Sequence, residues 1–237
     1  MRVSAASTLR GICLRHPEWW VVALSLTAWI SLWLTAMAWV HEHSEPLGAM
    51  VVEWLLMPVA MIGALAPGSV RSTAERSLWR RRHRAIAGFV AGYEMQWLCA
   101  GAPLLVVVLL LDVARSHSAL LVGAAGFTLA TIWQCTPIKR RAVSACHGKA
   151  SLAPTGWRAD ADCVRYGRTI GSTCVQTCWP MMLAAWLAGH AFVAMIAVTA
   201  MAAFERYSPR LGPRTVGIML GGLAAGYALL GLYSMGT

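Results

Sequence analysis

Residues 19–40 form a run of twenty-two positions without a charged side chain. About 20 apolar residues are enough to cross the roughly 30 Å hydrocarbon layer of a bilayer. A stretch of this kind restricts the fold to one that meets lipid. Further apolar runs occupy residues 48–67, 85–111, 118–135, 170–204 and 215–233. Of the 237 residues, 58% are hydrophobic and only 13% charged, whereas a soluble domain carries about 25% charged residues. The expected class is all-α: a polytopic membrane helix bundle forming one integral membrane domain over residues 1–237.

The run 170–204 holds 35 residues. As one helix it would stretch about 52 Å, too long for a single crossing. A break at Gly189-His190 divides it into spans 170–188 and 191–204, which brings the total to seven. Arg2, Arg10 and Arg15 precede the first span, and Ala36-Met37-Ala38 mimics a signal cleavage site. The run is longer than the 7–15 apolar residues of a signal peptide, so it reads as a retained anchor. Pro103 is a candidate kink in the third span, and Gly222 and Gly226 form a small-xxx-small pair suited to close helix contact.

Charge tests the seven-span layout. Three arginines precede the first span, six lie in 68–84, seven Lys+Arg in 137–169 and three Arg in 205–214. All of these fall on one side, leaving Arg115 alone on the other. Cytoplasmic loops carry the excess of Lys and Arg, so the N-terminus is inside and the C-terminus outside, with 137–169 as an ordered cytoplasmic excursion. The net charge of +10 belongs to these clusters between spans. It implies a lipid bilayer as partner rather than a nucleic acid.

The sulfur-bearing residues carry the chemistry. The seven cysteines, odd in number and partly inside apolar runs, do not form a secreted disulfide framework. Cys174 and Cys178 are four residues apart and share a helix face. Met181 and Met182 continue the stripe. Thiolate and thioether ligands select soft metals, Cu(I) above all, although Cys and Met also fill ordinary helix contacts. Met57 and Met61 repeat the spacing in the second span, with Glu53 one turn before. Glu53 and Glu94 are carboxylates within spans, where an ionisable group marks function or a packed structural acid. Cys146-His147 is a possible ligand pair in the inner excursion. His41, His43 and His190 read as loop histidines, and His83 as part of a basic inner face. Phosphate loops, zinc-protease motifs, Cys-x-x-Cys pairs and nucleophile–base sets are absent from the sequence.

Several segments share a pattern with a known family. Trp133-Gln134-Cys135-Thr136-Pro137-Ile138-Lys139 is similar to a Tyr-Gln-x-Thr-Pro-Leu-Lys motif. Gly167-x3-Gly171-x2-Cys174-x3-Cys178-Trp179-x-Met181-Met182, Gly92-Tyr93-x3-Trp97 and Phe204-Glu205-Arg206 match further blocks. Together they resemble domain-of-unknown-function family 2182, bacterial integral membrane proteins regarded as metal-binding and sometimes labelled copper chaperones. The chain departs from that pattern at Thr177 and Ala142, where the family has cysteines, and in the second span, where one methionine is missing.

The resemblance implies a bacterial inner-membrane protein that holds or hands on Cu(I). Cys174 and Cys178 would be core ligands, with Cys146, Met181, Met61, Met57 and His147 as further candidates. A membrane copper enzyme or another membrane subunit would be the recipient. In the seven-span layout Met61, Tyr93, Lys139, Cys174, Cys178 and Glu205 converge on the inner side. A metal transporter or channel using the Glu53-Met57-Met61 stripe, and a non-metal assembly subunit, are the alternative readings. An enzyme is not expected.

Overall fold

The computed structural model describes residues 16–39, 47–113, 119–146, 148, 151–153, 155–188, 192–208 and 213–236. Among these residues the chain is helical and contains no strand. In chain order the helices are α1 (Trp19–Trp39), α2 (Leu47–Leu65), α3 (Pro67–Glu75), α4 (Arg82–Val113), α5 (Ala119–Gln134), α6 (Pro137–Ala145), α7 (Gly156–Leu187), α8 (Phe192–Tyr207) and α9 (Pro213–Gly236). A short 3-10 turn, Trp79–Arg81, leads into α4.

Among the described residues, three helical segments are long and apolar enough to cross a membrane: Trp19–Ala38, Trp79–Val107 and Arg214–Met235. The number rises to five if each of two bent pairs counts as one crossing. The bends have a common origin. Proline has no N–H to give to the preceding turn and is favoured at the first helical position. Pro67 therefore starts α3 at 71° to α2, and Pro137 starts α6 at 74° to α5. Pro58, Pro103 and Pro180 lie inside continuous helices, so Pro103 does not divide the third apolar run.

Two segments expected to be loops are helical. Within 68–84, α3 buries Val70, Thr73 and Ala74 and leaves Arg71 exposed. Within 137–169, α6 buries Lys139 and Ala142, and α7 begins at Gly156, well before Ile170. The first turns of α7 are charged on one face but bury Ala159, Cys163 and Tyr166 on the other. A scan for apolar runs reads such a segment as loop, although it is amphipathic helix. The expected break at Gly189-His190 lies outside the described residues, as do Arg115, His41, His43 and His147. The flanking helices, α7 and α8, are separate.

The core gathers around α4 and α7, which pack backbone to backbone. A Cβ placed on Gly92 would lie 2.1 Å from the Val164 carbonyl oxygen, and one on Gly167 would lie 2.0 Å from that of Phe89. Gly171 meets the Tyr93 carbonyl in the same way, at 2.8 Å. No side chain fits at these distances, so the three glycines fix both the separation and the register of the pair. On the other side of α7, α5 packs against α9. There the close approach falls on Gly231, where an added Cβ would sit 2.9 Å from Leu121. Gly222 and Gly226 meet nothing within 4 Å among the described residues, so the tight contact expected of them is not made there. Helix α1 rests on α2, with the Ser25 hydroxyl donating to the Ala60 carbonyl in the space left by Gly63.

Candidate metal site

The glycine contact between α4 and α7 places Tyr93 opposite the cysteine pair. Tyr93 is fully buried, and its hydroxyl donates to Cys174 Sγ at 3.1 Å. One turn further along α7, Cys178 is also buried. The i, i+4 spacing puts the two thiols side by side on one buried face of α7. Thr177 stands between them. Its hydroxyl donates to the Cys174 carbonyl at 2.8 Å and lies 3.4 Å from Cys178 Sγ.

The segment that ends α5 and starts α6 closes the site from another side, and each residue of its motif has a visible task. Trp133 Nε1 donates to the Gln176 carbonyl at 3.0 Å. Gln134 Nε2 lies 3.8 Å from Met181 Sδ. The Thr136 hydroxyl caps α6 by accepting from Lys139 N, the usual device for satisfying a helix's first N–H groups. Lys139 then turns inward. Its ammonium is wholly buried, donates to the Thr177 carbonyl at 2.6 Å and pairs with Glu205 Oε2 at 2.8 Å. One buried cation thus ties α6, α7 and α8 together beside the sulfurs. A buried charge of this kind persists only when paired and hydrogen-bonded.

Cys146, at the end of α6, completes the arrangement. Cys146, Cys174, Cys178, Thr177, Glu205 and Arg206 line one small cavity. Its volume of about 20 Å³ suits a single water-sized occupant. Arg206 donates to the Cys146 carbonyl at 3.2 Å. Glu205 Oε1, unlike its sister oxygen, has no hydrogen-bond partner among the described residues. The wall therefore carries three thiols, an unpaired carboxylate oxygen and a guanidinium. Among the described residues, no three His, Cys, Asp or Glu side chains approach closely enough to form a ready-made metal cage. The close donor set is the thiol pair, with Cys146 sharing the cavity.

The structure brings together some sulfur residues singled out from the sequence and separates others. Cys174, Cys178 and Cys146 share the cavity. Met181 lies beside it but is engaged by Gln134. Met61 is buried in the general core. Met57 lines a second, apolar cavity with Met182, Trp54, Trp97 and Trp186. Of the two acids within apolar runs, Glu53 is buried, and Glu94 Oε1 is buried without a partner among the described residues. Tyr93, Lys139 and Glu205 converge with the cysteine pair, whereas Met61, expected in the same group, does not. The paired roles of Lys139 and Glu205, and the contribution of Thr177, were not readable from spacing. The available signal was their membership in the shared motifs.

A family model described as PpoB2, copper chaperone, matches residues 51–230, which include every residue of this cavity. No curated protein and no solved structure matches the chain.

Proposed function

The chain belongs to the PpoB2 family of copper chaperones, and from that premise we propose that it carries Cu(I) as cargo on the α7 thiol pair. The observation that carries this reading is the shared cavity of Cys146, Cys174 and Cys178, formed by two separate segments of the chain. Thiolates are the preferred ligands of Cu(I), and two are enough to hold it in near-linear coordination. Binding releases both thiol protons, so copper with two thiolates carries a net charge of −1. The guanidinium of Arg206 on the same wall supplies a compensating positive charge. Cys146 would act as the transfer thiol. It would bond to the copper as one α7 thiolate leaves, and a recipient's thiol or thioether would then replace it. Copper remains Cu(I) throughout.

The protein would work within a membrane. The long apolar helices support placement in a membrane, and the one-sided Lys and Arg distribution favours the seven-span reading with the cavity on the arginine-rich, cytoplasmic side. The bacterial inner membrane is the setting this implies, with a membrane copper enzyme as recipient. Purified protein loaded with Cu(I) under reducing conditions tests the reading. Stoichiometric uptake should be lost in C174S/C178S, and equal uptake by the two proteins would contradict it.

One observation favours a second reading, transport. Met57 and Met182 face a common cavity one turn beyond Cys178 along α7, with buried Glu53 a further turn away on α2. These positions could serve as successive weak sites for a permeating ion. Copper accumulation in proteoliposomes would establish transport, whereas binding without flux would leave the carrier role.

A further inference from the structure

The outward face of α7 breaks the apolar pattern of the bundle. Arg165, Arg168, Ser172, Thr173 and Gln176 follow one another at helical spacing and, with Gln96 of α4, line an open groove of about 440 Å³. Every residue lining this groove is polar. The opposite face of the same turns is core: Tyr166, Ile170, Cys174 and Cys178 are all buried there. The groove therefore lies on the outer surface, level with the copper site and separated from it by the thickness of the helix.

The position of the groove along α7 suggests what it meets. A helix of 32 residues is about 48 Å long, longer than the roughly 30 Å hydrocarbon layer, so its charged first turns project beyond the layer. Trp133 and Trp179 pack edge to face at 5.4 Å at the upper end of the groove. Tryptophan is enriched at the headgroup level. Beyond this pair, residues 180–187 of α7 are apolar and buried. The groove thus sits where the helix enters the bilayer, with its two arginines on the headgroup side.

Its donors are largely uncommitted. The hydroxyls of Thr169 and Thr173 bond to carbonyls of their own helix, and Arg165 donates to Asp162 at 3.1 Å. Arg168, Ser172, Gln96 and Gln176 give no side-chain hydrogen bond or ion pair to any described residue. A guanidinium, a hydroxyl and two amides around an open space match a phosphate group, which guanidinium binds through paired hydrogen bonds. Beside Gln96, α4 exposes Met95 and Leu98, an apolar surface on which an acyl chain can lie.

From this we propose that the groove is a binding site for the phosphodiester headgroup of an anionic phospholipid, centred on Arg168. The proposal rests on the membrane placement given above but not on the copper reading. It assigns a bound lipid to the back of the helix that carries Cys174 and Cys178.

Native mass spectrometry of delipidated, detergent-purified full-length protein tests it. Phosphatidylglycerol, phosphatidylcholine and inorganic phosphate would each be titrated. One phosphatidylglycerol should bind saturably and more tightly than phosphatidylcholine. R165Q/R168Q should weaken it about tenfold or more, the loss expected for one charge-assisted hydrogen bond. R158Q, which alters an exposed arginine outside the groove, should bind as the wild type does. Competition by inorganic phosphate at millimolar level or above would support the phosphate chemistry, whereas phosphate binding with no preference for phosphatidylglycerol over phosphatidylcholine would overturn the lipid assignment. Equal lipid binding by wild type and R165Q/R168Q would overturn the proposal. So would loss of a dimer in that variant without a change in lipid binding, since it would assign the groove to a second copy. Failure of the membrane placement has a different signature: protein that needs no detergent and is released from membranes by carbonate.

Discussion

The hydroxyl of Tyr93 on α4 donates a hydrogen bond to Cys174 Sγ on α7 across 3.1 Å, although the two residues are 81 positions apart. This contact orients the thiol and supplies a donor to the sulfur once it becomes a thiolate. Tyr93→Phe removes the donor and keeps the ring. The Kd for Cu(I) should rise about 2–10-fold, corresponding to a lost hydrogen bond of about 0.5–1.5 kcal/mol. Competition against a Cu(I) chelator measures it, and an unchanged Kd would remove Tyr93 from the site.

The same register depends on glycine. Gly167→Ala would bring a Cβ to 2.0 Å from the Phe89 carbonyl oxygen, a backbone atom that cannot swing aside. Overpacking of this kind costs about 1–3 kcal/mol or more. The thermal midpoint in detergent should fall, and Cys174 should be alkylated faster as Tyr93 moves away. Gly68→Ala provides the contrast. That glycine lies in α3 with nothing within 4 Å, so the substitution should be neutral or stabilise by up to about 1 kcal/mol.

Lys139 and Glu205 form a buried ion pair whose members should be interchangeable only together. Lys139→Met leaves the Glu205 carboxylate buried opposite a methyl group, at a cost of about 3–5 kcal/mol. Lys139→Met/Glu205→Gln removes both charges and should recover most of that loss. Chemical denaturation of the wild type, both single variants and the double variant reads the coupling. Strict additivity would mean that the pair does not act as a unit.

Thr177 occupies a position where the resembling family pattern has cysteine, and it lines the cavity. Its bond to Lys139 is made by the backbone carbonyl, which survives a change of side chain. Thr177→Cys should therefore add a sulfur ligand without disturbing the ion pair. Cu(I) should be retained against a competing chelator better than in the wild type, and weaker retention would show that the cavity has no room for a fourth sulfur.

The helical class and the shared face of Cys174 and Cys178 were legible from sequence, because hydropathy and i, i+4 spacing are local properties. What lay beyond reach was relational. The Met57–Met61 stripe is real, but a stripe does not name its neighbour. Packing sent Met61 into the core and Met57 to a second cavity. The early start of α7 was hidden because charged residues at 156–169 occupy one face of an amphipathic helix. Lys139 looked like one more inner-side cation in Lys139-Arg140-Arg141. Only the turn imposed by Pro137 points it inward while its neighbours face outward.

X-ray absorption at the copper edge, on protein loaded with one equivalent of Cu(I), addresses the central claim most directly. A sulfur-only shell of two or three neighbours is expected, from Cys174 and Cys178 with or without Cys146, and it should disappear in C174S/C178S. A nitrogen or oxygen shell, or a sulfur shell that persists in that variant, would contradict the assignment of copper to the α7 thiol pair.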